Sequence, residues 1–383
     1  MARHPELLIP ASSLEVLKTA VMFGADAVYI GGEAFGLRAK AKNFSMEDMR
    51  EGIAFAHEHD VKVYVTANIL AHNDDLEGVR EYFQELKEIK PDALIIADPA
   101  IFEIAGEICP EIERHISTQA NNTNYGTFNF WHKLGATRVV TARELSLEEI
   151  REIRANIPDD LEIETFVHGA MCISYSGRCL LSNFMVGRDA NRGACTHPCR
   201  WKYSIVEETR PGEVMPVFEN ERGTYIFNSK DLCMIEHIPE MIDAGIDSFK
   251  IEGRMKRPEY VAAATAACRF ALDQQVIPQS LTENLEAVFS RSGFTTGYPD
   301  GTLGRDMFGI RTKEDVTSAT NAVFQQLHSY YQKERQSVPI RYSLVIKRDI
   351  PVTVTVSDHE QHTVTVEGDI PQQAIHRPID EVR

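Results

Sequence analysis

The sequence predicts an α/β protein built on a (β/α)8 barrel of the TIM type, with a cysteine-rich insertion after the seventh strand and a small all-β module at the C-terminal end. Three observations lead there. Eight short apolar runs recur through the first two-thirds of the 383 residues. Stretches of helical periodicity separate most of them, such as "SMEDMREGIAFAHEHD" and "LEGVREYFQELKEIK". The runs are continuous in apolar residues rather than alternating, the pattern of parallel strands covered on both faces.

In chain order the runs are "ELLIPA", "DAVYIGG", "VKVYVTAN", "DALIIADP", "RHISTQAN", "RVVTARE", "LEIETFVHGA" and "DSFKIEG". Eight such units suit a closed barrel over roughly residues 5–275 better than an open doubly wound sheet. No GxGxxG follows the first strand, which weakens a dinucleotide-binding reading. The helix "RPEYVAAATAACRFALDQQ" is expected to complete the barrel. The expected organisation is a barrel over 1–278 with its insertion at about 170–235, a polar, helical connection over 279–335 and a β module over 336–383. In that module "VPIRYSLVIKRDIPVTVTVSDHEQHTVTVEGDI" alternates strictly, with "SDHEQH" as the turn. A few strands alone are marginally stable, so the module is expected either to pack on the barrel or to be cut short at Arg383.

Hydrophobic residues make up 43% of the chain, enough for a sizeable core. No run of ~18 apolar residues occurs and the N-terminus lacks a signal-peptide core, so no membrane contact and a cytoplasmic location are expected. Seven unevenly clustered cysteines argue against a disulfide framework. The net charge of −17 is unfavourable for general nucleic-acid binding. Charge is local, however. Arg178, Arg188, Arg192, Arg200 and Lys202 face only Asp189 between Cys172 and Lys202, a balance of 5 − 1 = +4.

Chemistry in such barrels sits at the C-terminal ends of the strands, here at Asn68, Asp98, Gln119, Arg143, Glu144, His168, Glu252 and Arg254. The cysteine segment falls at that end too, in a connection of about 75 residues, and long connections in compact domains are usually functional. Cys172, Cys179, Cys195 and Cys199 lie close in sequence, with Cys233 further on. Only Cys195 and Cys199 resemble a zinc knuckle. An iron–sulfur cluster tolerates wider spacings, because its thiolates need only converge in space. Spacing alone leaves iron–sulfur, zinc and unligated thiols open. His168 stands four residues before Cys172 and suggests a nucleophile pair, but "ETFVHGA" reads as a strand end, and the chain has no HExxH and no GxSxG.

"ETFVHGAMCISYSGRCLLS" resembles the signature of the collagenase-like peptidase family U-32, matching at Glu164, Phe166, Gly169, Ala170, Met171, Cys172, Gly177, Cys179, Leu181 and Ser182. "YIGGEAFGLRAKAKNFS", "NRGACTHPCRW", "NSKDLC", "KIEGRMKRPEYV" and "TTGYPDGTLGRDM" resemble further family blocks, and the tail resembles the start of a C-terminal domain of longer members. The resemblance implies one of two activities. Some members are known as collagenase-type proteases; others are iron–sulfur proteins of oxygen-independent hydroxylation, acting on a tRNA uridine, an rRNA cytidine or a ubiquinone precursor. It implies a [4Fe–4S] cluster on Cys172, Cys179, Cys195 and Cys233, with Cys199 as the alternate ligand, and prephenate as hydroxyl donor.

On this reading the expected activity is hydroxylation of an RNA pyrimidine, in rRNA or tRNA, with the electron donor and the oligomeric state left unassigned. The rivals are a protease and a non-catalytic subunit stapled by metal. His168, Glu252 and Asn68 are the expected catalytic groups. Arg254 and Lys256 are expected to hold the anionic donor, and Arg178, Arg192 and Arg200 the RNA backbone. Trp201, with Tyr175, Phe184 and Tyr203, is expected to offer unpaired bases an aromatic platform.

Overall fold

The computed structural model describes residues 5–36, 43–201, 203–206, 209, 212, 214–216, 229–253, 256–273, 277–289, 293–304, 307, 340–358 and 362–371. Two compact units divide the chain, Met1–Tyr331 and Gln332–Arg383. The first begins β1 (Glu6–Pro10), α1 (Leu14–Met22), β2 (Ala27–Gly31), α2 (Met46–His57), β3 (Lys62–Ala67), α3 (Leu76–Ile89), β4 (Ala93–Ile96) and α4 (Pro99–Ile108). It continues through β5 (Glu113–Ile116), α5 (Tyr125–Lys133), β6 (Arg138–Val140), α6 (Leu147–Ala155) and β7 (Glu162–Gly169). The cysteine-rich connection carries α7 (Leu181–Val186), the hairpin β8 (Ser204–Val206) and β9 (Val214–Pro216), β10 (Asp231–Cys233) and α8 (Ile238–Asp243). Then come β11 (Ser248–Ile251), α9 (Pro258–Leu272), α10 (Gln279–Phe289) and β12 (Phe294–Thr295).

The helices start where short polar side chains replace the missing backbone acceptors. Ser13, Ser45 and Asp98 accept from backbone N–H groups of α1, α2 and α4, and Ser146 forms a capping box with Glu149 on α6. The eight apolar runs become β1–β7 and β11. Each of β1–β6 pairs in parallel with the next strand, and β11 pairs in parallel with both β7 and β1, so the barrel closes. Beside it, β10 runs antiparallel to the end of β7 and pairs with β12, while α10 lies against α9. The first compact unit thus takes in elements beyond residue 278. In the second unit β13 (Arg341–Lys347), β14 (Ile350–Ser357) and β15 (Thr363–Glu367) form an antiparallel sheet in that order. Part of the "SDHEQH" turn lies outside the described residues, but Asp358 Oδ1 accepts from the His362 N–H at 2.9 Å.

Strand alternation sorts the barrel into two interiors. Leu7, Ile9, Val28, Ile30, Val63, Val65, Leu94 and Ile96 pack outward under the helices. Leu8, Ala27, Tyr29, Tyr64, Ala93 and Ile95 form a separate cluster in the lumen. Beside that cluster the lumen carries an ion network. Arg138, 3% exposed, reaches Glu6 at 2.5 Å, Glu162 at 2.6 Å and Glu164 at 3.3 Å. Lys250 reaches the other oxygen of Glu164 at 2.5 Å. Tyr64 Oη and Ser248 Oγ donate to Glu6 at 2.5 and 3.0 Å. Burial alone would raise the Glu6 carboxyl, but the charge and hydrogen bonds of Arg138 hold it below its ordinary value.

Breaking a buried ion set by removing one partner leaves uncompensated charge, at a cost of about 3–5 kcal/mol. Arg138→Ala is expected to lose that much stability in urea unfolding, and a loss below about 1 kcal/mol would show that the network does not hold the barrel. The contribution of Glu6, whose folded pKa is depressed, is present above the ordinary carboxylate value of 4.5 and is lost as pH falls through the folded value.

Candidate active site

The strand ends open onto a partly enclosed cavity whose space, open solvent included, is about 480 Å3. Tyr29, Thr66, Ile95, Phe166 and Lys250 enter it from the strands, and Asn68, Ser117, Thr118, Gln119, Arg143 and Glu252 from the turns that follow. Four of the eight mouth residues expected from sequence are therefore together here: Asn68, Gln119, Arg143 and Glu252. Asn68 Nδ2 donates to Ser117 Oγ at 3.2 Å. The Lys250 ammonium stands 4.5 Å from the Tyr29 ring centre, and the Arg143 guanidinium 4.8 Å from that of Phe166. Asp98 has a different task. It caps α4 and accepts from the Ala71 N–H at 3.1 Å. Arg254 lies outside the described residues.

The cysteine segment folds back onto the rim of this cavity. Gly177, at φ +70°, lies so close to Gln119 that an added Cβ would stand 1.9 Å from the Gln119 carbonyl oxygen. Beside it the buried Ser176 Oγ donates to Glu144 at 3.2 Å and receives the Thr118 hydroxyl at 3.4 Å. Asn191 takes the Leu70 N–H on its carbonyl at 3.1 Å. Asp75 holds Arg192 by two bonds of 2.6 and 2.9 Å. The loop thus grips the ends of three separate strands.

His168, at the end of β7, is fully buried and does not line the cavity. Its Nδ1 lies 2.9 Å from Tyr260 Oη on α9, and the Phe294 ring stands edge-on at 5.5 Å. Burial, aided by the Lys256 charge, pushes the imidazole down to about 3, so it is neutral at pH 7. The Tyr260 hydroxyl also lies 2.8 Å from the Glu252 carbonyl. An acid role for His168 would require a proton that its surroundings repel. Its geometry is that of a positioning group behind Glu252.

The thiols divide into two sets. Burial raises the Cys199 thiol, and the charges of Cys172, Cys195 and Cys179 raise it further, against Arg200. Those four cysteines therefore share one electrostatic neighbourhood. Cys233 stands apart on β10, where its Cα faces that of His168; burial pushes its thiol up to about 11. Among the described residues no group of three or more His, Cys, Asp or Glu is close enough to hold a metal ion. Thiols are the donor chemistry that an iron–sulfur cluster takes.

Of the expected RNA-binding arginines, Arg192 is engaged by Asp75, and Arg200 donates to the Met171 carbonyl at 3.3 Å. Both shape the loop. Arg178 is exposed, and Tyr175, Phe184 and Trp201 are 69%, 86% and 42% exposed. Tyr203 donates to the Pro198 carbonyl at 2.7 Å. Lys256 stands 6.0 Å from the Tyr260 ring centre, beside His168.

The model of peptidase family U32 matches residues 12–307. The chain belongs to peptidase family U32. Its U32 relatives include tRNA hydroxylation protein P1 of Bacillus subtilis (strain 168), 40% identical over 96% of this chain and 87% of that one. In Escherichia coli (strain K12), tRNA hydroxylation protein P is 41% identical over 77% of this chain and 74% of its own. The 23S rRNA 5-hydroxycytidine C2501 synthase of the same organism is 40% identical over 70% of this chain and 39% of its own.

Lys250 and Phe166 were not singled out as cavity residues from sequence. A lysine inside the apolar run "DSFKIEG", two residues before Glu252, was the available signal, because that spacing puts both on one face of a strand. Two outcomes follow for this U32 site. Gly177→Ala is expected to undock the loop and speed proteolysis within residues 171–201; cleavage at the wild-type rate would refute the close approach to Gln119. The His168 ring resonances are expected not to titrate between pH 5 and 8, whereas a midpoint near 6.5 would show that the ring is solvated.

Proposed function

We propose that this chain hydroxylates a pyrimidine of RNA without oxygen, to 5-hydroxycytidine or 5-hydroxyuridine, at the barrel mouth beneath the cysteine loop. The observation that carries the reading is the identity of about 40% to proteins named for tRNA hydroxylation and for 5-hydroxycytidine synthesis in rRNA. The cavity supports it, since a base acted on by an enzyme must leave its stack and enter a pocket. Exposed Tyr175, Phe184, Trp201 and Arg178 are the surface on which unpaired RNA would stack and pair its phosphates. Asn68 and Gln119 present amides suited to a base edge, and Glu252 is the cavity carboxylate assigned to proton transfer.

Replacing C–H by C–OH removes two electrons from the ring, which side chains alone do not accept. A [4Fe–4S] cluster on Cys172, Cys179, Cys195 and a fourth cysteine would supply one-electron chemistry there. Two residues compete for fourth place: the family resemblance supports Cys233, and the shared electrostatic neighbourhood supports Cys199. Prephenate is the proposed hydroxyl donor: its C–O bond breaks as the ring C–O bond forms, and the two electrons and the proton lost by the ring pass to the remainder of the donor. The Cys–His pair that the sequence suggested for a peptidase is not supported, because His168 is buried, neutral and turned to Tyr260.

The test is nucleoside mass spectrometry on tRNA and rRNA from a deletion strain, combined with iron and sulfide analysis of anaerobically purified protein. One 5-hydroxypyrimidine is expected to disappear on deletion and return with the wild-type gene; an unchanged nucleoside profile would overturn the proposal. Serine at Cys172, Cys179 or Cys195 is expected to abolish iron and sulfide binding. Of Cys199→Ser and Cys233→Ser, the one that does the same identifies the fourth ligand.

A further inference from the structure

The two arginines of the β6 run have opposite fates. Arg138 is neutralised by three carboxylates. Arg143, five residues on, has none among the described residues. Its Nε is buried without a hydrogen-bond partner, and among the described residues it makes no ion pair. The adjacent Glu144 is taken by Asn121 Nδ2 at 2.6 Å and by Ser176 Oγ. The second cation of the cavity, Lys250, is answered by Glu164. Arg143 therefore brings into the cavity a positive charge that no described residue answers, and Phe166 under its plane holds the fork in position.

We infer that Arg143 is the carboxylate-binding residue of the barrel-mouth cavity, and that its ligand is a small organic acid with an apolar body. A guanidinium fork pairs two oxygens of a carboxylate, and leaving its donors unpaired in a partly buried site carries a desolvation cost that an anion removes. A neutral pyrimidine ring supplies no counter-charge. Ile95 and Tyr29 offer the body of such an acid an apolar wall, while Asn68 and Gln119 face it with amides. The inference rests on the hydroxylase reading in taking this acid to be the co-substrate. It puts the anion on Arg143 inside the barrel, where the sequence had suggested Arg254 and Lys256.

The test is calorimetric titration of the full chain with prephenate, using wild type, Arg143→Gln and Arg143→Lys, each checked for an unchanged thermal midpoint. Wild type is expected to bind. Arg143→Gln should weaken binding by about tenfold or more, and Arg143→Lys, which keeps the charge but loses the fork, by less. If the glutamine variant does not fold, any loss of affinity in Arg143→Lys decides in favour, and wild-type affinity in it decides against. Affinity retained in Arg143→Gln, or no binding to wild type, would each overturn the assignment. Failure of the hydroxylase reading is told apart by RNA: a 5-hydroxypyrimidine that persists in the deletion strain sinks that reading whatever the titration gives.

Discussion

The ion network of Glu6, Arg138, Glu164 and Lys250 is the constraint on which the rest of the molecule depends. Its members stand on β1, β6, β7 and β11, so a single set of contacts ties the first strand to the last three and closes the barrel. Charges buried this deeply need good geometry and further hydrogen bonds to repay their desolvation, and Tyr64 and Ser248 supply such bonds to Glu6. The same network sets the floor of the cavity. Lys250 holds Glu164 below and lines the mouth above, against the rings of Tyr29 and Phe166. Barrel closure and site electrostatics are thus one arrangement seen from two ends.

Above that floor the site is completed by a segment with little regular structure of its own. Its order comes from the rim it grips: Gly177 against Gln119, Ser176 between Thr118 and Glu144, and Arg192 on Asp75. These anchors bring the thiols of Cys172, Cys179, Cys195 and Cys199 into one neighbourhood and leave Tyr175, Phe184 and Trp201 facing solvent. Behind the rim, Tyr260 joins buried His168 to the Glu252 carbonyl, so Glu252 is set by α9 as well as by β11. In the proposed chemistry, charge is handled inside the barrel and RNA is met outside it.

How much of this was legible depended on whether a signal was local. The strands were, because a continuous apolar run bounded by polar residues says strand wherever it falls; so was the antiparallel C-terminal module, from alternation alone. Asp98 carried a local signal too, since Asp before Pro is a helix start, yet its place at a strand end suggested chemistry. Arg138 stands at the edge of a run with no local partner, and only closure of the barrel brings it to Glu6, 132 residues away. The seal over His168 by Tyr260 spans 92 residues, and the Arg192 pair with Asp75 spans 117. No periodicity encodes such contacts. The segment "GTYIFNSKDLC" reads as strand-like, but nothing local says that its β10 residues run antiparallel to the end of β7.

The central claim is that a pyrimidine of RNA reaches the barrel mouth beside the cysteine loop. Photo-crosslinking tests it most directly, using an RNA carrying 4-thiouridine at the modified position and the intact chain under anaerobic conditions. The account predicts crosslinked peptides from residues 168–201 or from the cavity residues Asn68 and Gln119. Crosslinks confined to residues 340–371, or spread evenly over the surface, would contradict it.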